Sequence, residues 1–193
     1  MRILVLTCDK NSWVLPKTFH FLNKFWPDCP WPVDIVTGHA EIPPIDRVVR
    51  EMSLFQSDDA IWSDLLLAYL ETCPDSDLRL LMLEDYLLAD KINTAAIQTC
   101  KALVELEKAA FLRLNACPGP TLRFGLPRWP AFPEIGEFDR KNASYLTSTQ
   151  PTIWTVGYLK KILLPGESGW DFELRGTQRA RFMFMDELRL GVR

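Results

Sequence analysis

The sequence predicts a single α/β domain built on an open, mostly parallel sheet flanked by helices, and three observations lead there. Short runs of Leu, Ile and Val alternate with longer segments whose apolar residues recur at helical spacing. The short runs are mostly apolar instead of alternating regularly with polar residues, as expected of strands covered on both faces. A chain of 193 residues is long enough for one domain with a sizeable core.

Each element follows in chain order. Arg2 to Thr7 (RILVLT) is an apolar run ended by Cys-Asp-Lys-Asn, a buried parallel strand feeding a polar loop. Ser12 and Pro16 open a helix on which Leu15, Thr18, Phe19, Leu22 and Phe25 or Trp26 share a face, until Pro27 and Pro30 stop it. Val33 to Thr37 (VDIVT) is a second strand, closed by Gly38, and AEIPPID after it is a loop by its prolines. Ile61 to Cys73 carries a broad apolar helical face, with Ser57 or Asp58 as its cap and Pro74 beyond its end. Leu78 to Leu83 (LRLLML) is the third strand. Asp90 is the expected cap of a further helix, with Ile92, Ala95, Ala96, Thr99, Leu103 and Leu106 on one face.

From Cys117 to Gly136 the chain changes character, with prolines at 118, 120, 127, 130 and 133 among aromatic residues. Phe124, Trp129 and Phe132 would not remain in water, so the stretch reads as an ordered loop or a lid. SYLTSTQPTIW (144–154) reads as a strand, followed by a short helix around Val156, Leu159, Ile162 and Leu163 and then by ESGWDFELRG (167–176). No repeat or low-complexity segment interrupts the chain.

Composition narrows the function classes. Hydrophobic residues make up 48% and charged ones 24%, near the globular average, and no apolar run approaches the roughly 20 residues that cross a bilayer. MRILVLTCDK is too short in its apolar part for a secretory signal, which points to the cytoplasm. Five scattered cysteines without a CxxC pair indicate neither a disulfide framework nor a zinc site. A net charge of -3 gives no basic footprint for nucleic acid. His20 and His39 stand alone and receive no catalytic role.

The chemistry is concentrated in acids. Glu84 and Asp85 end the Leu78–Leu83 run, and in open α/β sheets ligands bind beyond the carboxyl ends of the strands. Carboxylates beside a dry core are costly, and a hard divalent cation carrying phosphates offsets that cost. The structural alternative is that the pair caps the next turn or meets an arginine. A second acidic cluster, Trp170-Asp171-Phe172-Glu173, places Asp171 and Glu173 on one side if the chain is extended there. Trp170 and Trp154 offer flat faces on which a sugar ring can stack, core packing being the alternative for both.

Four motifs in order across nearly the whole chain, RILVLTCDK, LMLEDY, SYLTSTQPTIW and ESGWDFELRG, together resemble a small bacterial and phage group of glycosyltransferases with the GT-A fold. The resemblance implies a nucleotide-sugar donor bound by residues 1–110 and an acceptor held by residues 111–193. Thr7, Cys8, Asp9 and Lys10 are then near the nucleotide, with Glu84 a ribose contact or secondary ligand. Asp85 matches the last acid of the family's Asp-x-Asp signature and would contact Mn2+ or Mg2+, although Leu83 stands where the first acid is expected. Glu173 takes the position of the general base for inverting transfer, with Asp171 as understudy, and Gln150 contacts donor or acceptor sugar. Arg175, Arg179 and Arg181 add positive charge suited to a diphosphate or an anionic acceptor, with surface solvation as the alternative. The expected acceptor is a saccharide hydroxyl. A hydroxymethylated pyrimidine of phage DNA is a second acceptor class, and a non-catalytic sugar-binding protein on the same fold is a third reading.

Overall fold

The apolar runs order the sheet. The computed structural model describes residues 1–45, 52–115, 117–120, 134–183 and 187–192. Strand β1 (Arg2–Leu6) lies between β2 (Val33–Thr37) and β4 (Leu78–Leu83), parallel to both, and β3 (Met52–Gln56) extends this parallel half beyond β2. On the other side β7 (Thr152–Thr155) runs antiparallel to β4 and to β5 (Phe111–Arg113). Next come β8 (Arg189–Val192), parallel to β5, and β6 (Ile135–Glu137), antiparallel to β8. The order β3-β2-β1-β4-β7-β5-β8-β6 therefore has only β6 and β7 reversed, and the expected open, mostly parallel sheet is what the chain forms.

Helices cover both faces. Alternate strand residues Ile3, Val5, Ile35, Leu80 and Met82 meet α1 (Leu15–Phe25) and α3 (Thr94–Glu107) through Phe19, Leu22, Leu103 and Val104. Leu4, Leu6, Val36 and Leu81 face the other way, toward α2 (Trp62–Glu71), α4 (Val156–Ile162) and the C-terminal helical segment. Period-two alternation of a continuous apolar strand thus feeds two cores at once. That segment comprises α5 (Gly169–Asp171), a π-helical turn (Phe172–Gly176) and α6 (Thr177–Met183). None of the helices described is long and apolar enough to cross a membrane.

Several boundaries differ from expectation for local reasons. A 3-10 turn (Asp9–Val14) precedes α1, which begins at Leu15 with Pro16 in its first turn. Helix α2 starts at Trp62 without a side-chain cap, because Ser57 is taken by Asp59 in a turn of its own at 2.5 Å. Asn93, not Asp90, caps α3 by accepting from the Ala96 amide at 3.1 Å. The intervening chain is pinned by Ile92 N–H donating to the Phe25 carbonyl at 2.9 Å. The buried stripe of α3 is Cys100, Leu103 and Val104, while Leu106 is 74% exposed. Within SYLTSTQPTIW only Thr152–Thr155 is strand. Residues ahead of it give their polar groups to side chains instead of a ladder, Tyr145 and Leu146 carbonyls accepting from Arg113 at 2.8 and 3.1 Å. Phe124, Trp129 and Phe132, and with them the expected loop or lid, lie outside the described residues. All five cysteines are free, three buried and two (Cys8 and Cys117) exposed.

Candidate active site

The carboxyl ends of β1, β2 and β4 open onto a cavity of about 980 Å3. It gathers Thr7, Cys8, Asp9 and Lys10 from the first loop, Glu84 and Asp85 from the end of β4, and Gln150, Trp170 and Glu173 from the second half. Two predicted residues are elsewhere. Trp154 is fully buried between Phe111 and Phe172 at 4.7 and 6.2 Å between ring centroids, so it is a core residue and cannot carry a sugar on its face. Asp171 does not line the cavity either. The stretch around it is helical, not extended, so residues two apart point in different directions. Its carboxylate instead closes a capping box with Ser168, accepting from the Ser168 hydroxyl at 2.7 Å and amide at 3.2 Å. All three candidate arginines are engaged, Arg179 to Glu167 at 2.6 Å, Arg175 to Asp171 at 3.4 Å and Arg181 to the Ala143 carbonyl at 3.2 Å.

The first loop is shaped by Asp9. Its carboxylate accepts from the His39 and Ala40 amides, both at 3.0 Å, and from the Thr37 hydroxyl at 3.4 Å, tying the end of β1 to the end of β2. Loss of solvation works against its ionisation, but the two amides and the hydroxyl outweigh it and hold Asp9 below the usual carboxylate range. Gly38 permits this approach, since a Cβ there would lie 2.6 Å from Asp9 Oδ1. Lys10, exposed beside it, is the one ammonium in the cavity wall among the described residues.

At the end of β4 the two acids part company. Glu84 is buried and Asp85 is exposed. Burial pushes Glu84 above its ordinary range and the neighbouring charge of Asp85 adds to this, while a hydrogen bond from Asn11 opposes it. The Thr18 hydroxyl donates to the Glu84 carbonyl, fixing the turn to α1. Among the described residues no hydrogen bond or ion pair engages the Asp85 carboxylate.

Glu173 is held from across the cleft. Its Oε1 accepts from the Ser148 hydroxyl at 2.9 Å, the Thr149 amide at 2.8 Å and the Thr149 hydroxyl at 2.9 Å. Among the described residues none of these donors reaches Oε2. Arg113 lies beneath, 1% exposed, donating among the described residues to the carbonyls of Pro118, Tyr145 and Leu146, with the Phe138 ring 4.5 Å from its Cζ. Burial lowers its pKa to about 10, and the charges of Glu173 and Tyr86 work in the opposite direction. Two polar atoms on cavity residues, Nε1 of Trp62 and Oε1 of Gln150, are buried without a partner among the described residues.

Sequence reasoning missed Tyr86, Arg113, Ser148, Thr149 and Trp62. Ser148 and Thr149 sit inside a motif whose pattern predicts strand, and Trp62 inside a face whose pattern predicts ordinary helix packing. The signal available for the first two was three hydroxyl residues in a row, Thr147 to Thr149, directly before Gln150-Pro151.

Among the described residues, the cavity wall carries Asp9, Asp59, Glu84, Asp85 and Glu173 against Lys10. These charges would repel a free diphosphate, and a cation beside it would offset the repulsion. The described residues contain no cluster of three or more His, Cys, Asp or Glu that would form an ion cage by itself. Mg2+-like ions, however, keep water and phosphate oxygens in most positions and need only one or two protein carboxylates. Exposed Asp85, with Glu84 beside it, fits that requirement.

A mostly parallel sheet between helices, with its cavity at the carboxyl edge and an acidic turn after β4, defines the GT-A class of fold. Solved structures agree on the fold. Staphylococcus aureus TarS residues 1–349 superposes with a TM-score of 0.58 at 15% identity, over 100% of this chain and 60% of that one. The structure of S. aureus TarS gives 0.57 at 15% identity, with 36% of that chain covered. The galactosyltransferase LgtC, in complex with donor and acceptor sugar analogs, gives 0.51 at 9% identity, over 98% of this chain and 68% of that one. The chain thus spans only part of the TarS structures. No protein-family model matches it, and no curated protein does so significantly.

Proposed function

We propose that this protein transfers a sugar from a nucleotide-sugar donor to an acceptor hydroxyl with inversion. The observation that carries the reading is that Asp85, at the end of β4, and Glu173, on the π turn, line the same cavity. The nucleotide lies along Thr7 to Lys10 and its diphosphate reaches Lys10 and Asp85. Mn2+ or Mg2+ at Asp85 would supply charge neutralisation of the diphosphate and of its departure. Glu173 Oε2 takes the proton of the acceptor hydroxyl as the acceptor oxygen bonds to the anomeric carbon, and the bond from that carbon to the diphosphate breaks on the opposite face. Three donors on Oε1 fix the carboxylate during this step. Trp170, 73% exposed at the cavity, offers the ring on which a sugar can rest.

A saccharide is the favoured acceptor, and this chemistry belongs in the cytoplasm, where nucleotide sugars are made. Five carboxylates on the wall disfavour a polyanion such as DNA. The test is to incubate the protein with a panel of nucleotide sugars and saccharide acceptors in Mn2+, Mg2+ or EDTA, and to measure released nucleotide and the anomeric configuration of the product. Release from one donor, raised by metal and inverted in product, is expected. No release or thermal stabilisation with any donor would sink the reading.

A further inference from the structure

The π-helical turn that carries Glu173 has its own support. A π turn inserts one extra residue into a helix and interrupts its regular carbonyl–amide ladder, so a partner from outside the helix helps it to persist. Here Thr147, fully buried, supplies that partner. Its hydroxyl donates to the Phe172 carbonyl at 2.7 Å and lies 3.4 Å from the Glu173 carbonyl. Its amide donates to the Thr177 hydroxyl at 3.1 Å, and the two hydroxyls are 3.2 Å apart, which closes the turn at its far end. Gly176 makes room, since a Cβ there would sit 2.9 Å from Thr147 Oγ1.

The next two residues along the same segment, Ser148 and Thr149, hold the Glu173 carboxylate. One three-residue stretch therefore clamps Glu173 twice, by its backbone through Thr147 and by its side chain through Ser148 and Thr149. We infer that Thr147 is a positioning residue which keeps the π turn in place and so aims Glu173 Oε2 into the cavity. Without the extra residue, the helix before the turn would rotate by about 100° and shift by about 1.5 Å relative to α6. Glu173 would leave the Ser148 and Thr149 donors.

The inference rests on Glu173 acting as the base, and the experiment separates the two. Crystal structures of Thr147→Val and Thr147→Ser are determined beside the wild type, and transfer kinetics are measured on all three. In Thr147→Val the turn is expected to relax to regular α-helix, with Glu173 away from Ser148 and Thr149. Misplacement on this scale is expected to lower kcat roughly 100-fold while the donor KM stays within about twofold. Thr147→Ser, which keeps the hydroxyl, should retain the turn and most of the turnover. Should the valine variant fail to fold, Gly176→Ala forces the same hydroxyl out and is read in the same way. An intact π turn with Glu173 still on Ser148 and Thr149 in Thr147→Val, or in Gly176→Ala if only that variant folds, overturns the inference. So does wild-type turnover in a folded variant when Glu173→Gln is inactive. If the wild type itself transfers no sugar, the base assignment fails, and the crystal structures still decide whether Thr147 holds the turn.

Discussion

The two edges of the sheet treat polar groups in opposite ways. At the amino edge, Arg2, Asp34, Ser53, Tyr69 and Arg79 consume one another. Asp34 accepts from Arg2 at 2.8 Å, from Tyr69 at 2.5 Å and from Ser53, and Arg79 donates to Tyr69 at 2.8 Å and to Cys73 Sγ at 3.1 Å. At the carboxyl edge, Glu84 is buried above its ordinary pKa, and among the described residues Asp85 is unengaged and Trp62 Nε1 and Gln150 Oε1 lack partners. Satisfied groups stabilise the fold, whereas unsatisfied ones cost stability and remain available for a ligand. The same strands, read from opposite ends, thus serve stability at one rim and binding at the other.

Substitutions at the two edges should therefore separate activity from stability. The largest effect is expected from Glu173→Gln, which should lower transfer by roughly 1,000-fold while donor affinity and melting temperature hardly move. Ordinary turnover in that variant would break the comparison at its functional end. Asp34→Asn should do the reverse, destabilising by about 3 kcal/mol, as removal of one partner from a buried ion pair does, without changing the donor KM. Burial opposes ionisation of Asp34, but hydrogen bonds from Arg2, Ser53 and Tyr69 together with the Arg2 charge hold its carboxyl below the usual range. A depressed folded pKa stabilises above the unfolded value near about 4 and stops doing so as pH falls through the folded value. The gap in unfolding free energy between wild type and Asp34→Asn should accordingly be full at neutral pH and close below about pH 4; a gap independent of pH would remove the charge from the account. Asp85→Ala should weaken donor binding by about 2 kcal/mol, roughly 30-fold, in Mn2+ and much less in EDTA. Equal affinities by calorimetry would dissociate Asp85 from the ion.

Much of this division was legible beforehand. Strands β1, β2 and β4 are largely apolar runs, and the acids that follow Leu83 announce a carboxyl edge because nothing apolar could be gained there. Four short or half-exposed strands, β3, β5, β6 and β8, left no such signature. β5 and β6 are three residues long, and β3 is an edge strand with Met52 and Leu54 exposed at 43% and 50%. The site was legible where residues adjoin strand ends, as at Asp9 and Asp85. It was misread where tertiary hydrogen bonds override local pattern. Ser148 and Thr149 leave strand geometry to hold Glu173, and WDFELRG is helical because Ser168 and Asp171 cap it and Thr147 props it from outside. Trp154 was ambiguous by nature, since one aromatic ring serves a core or a sugar equally well and only its neighbours decide.

The smallest effect is expected from the second acid of that motif, and it refines the contrast inside a single helical segment. Asp171 and Glu173 are two residues apart, yet one bonds Ser168 at the helix start and the other faces the cavity. A capping carboxylate at an exposed helix start contributes only local order. Asp171→Ala should lower the melting temperature slightly and leave transfer within about twofold of wild type. The same substitution combined with Thr147→Val should fray the segment from both ends, since cap and prop act on neighbouring turns, and hydrogen exchange of residues 168–177 would register the coupling. A loss of turnover in Asp171→Ala as deep as that of Glu173→Gln would return Asp171 to the chemistry and make the pair, not the single glutamate, the group that takes the acceptor proton.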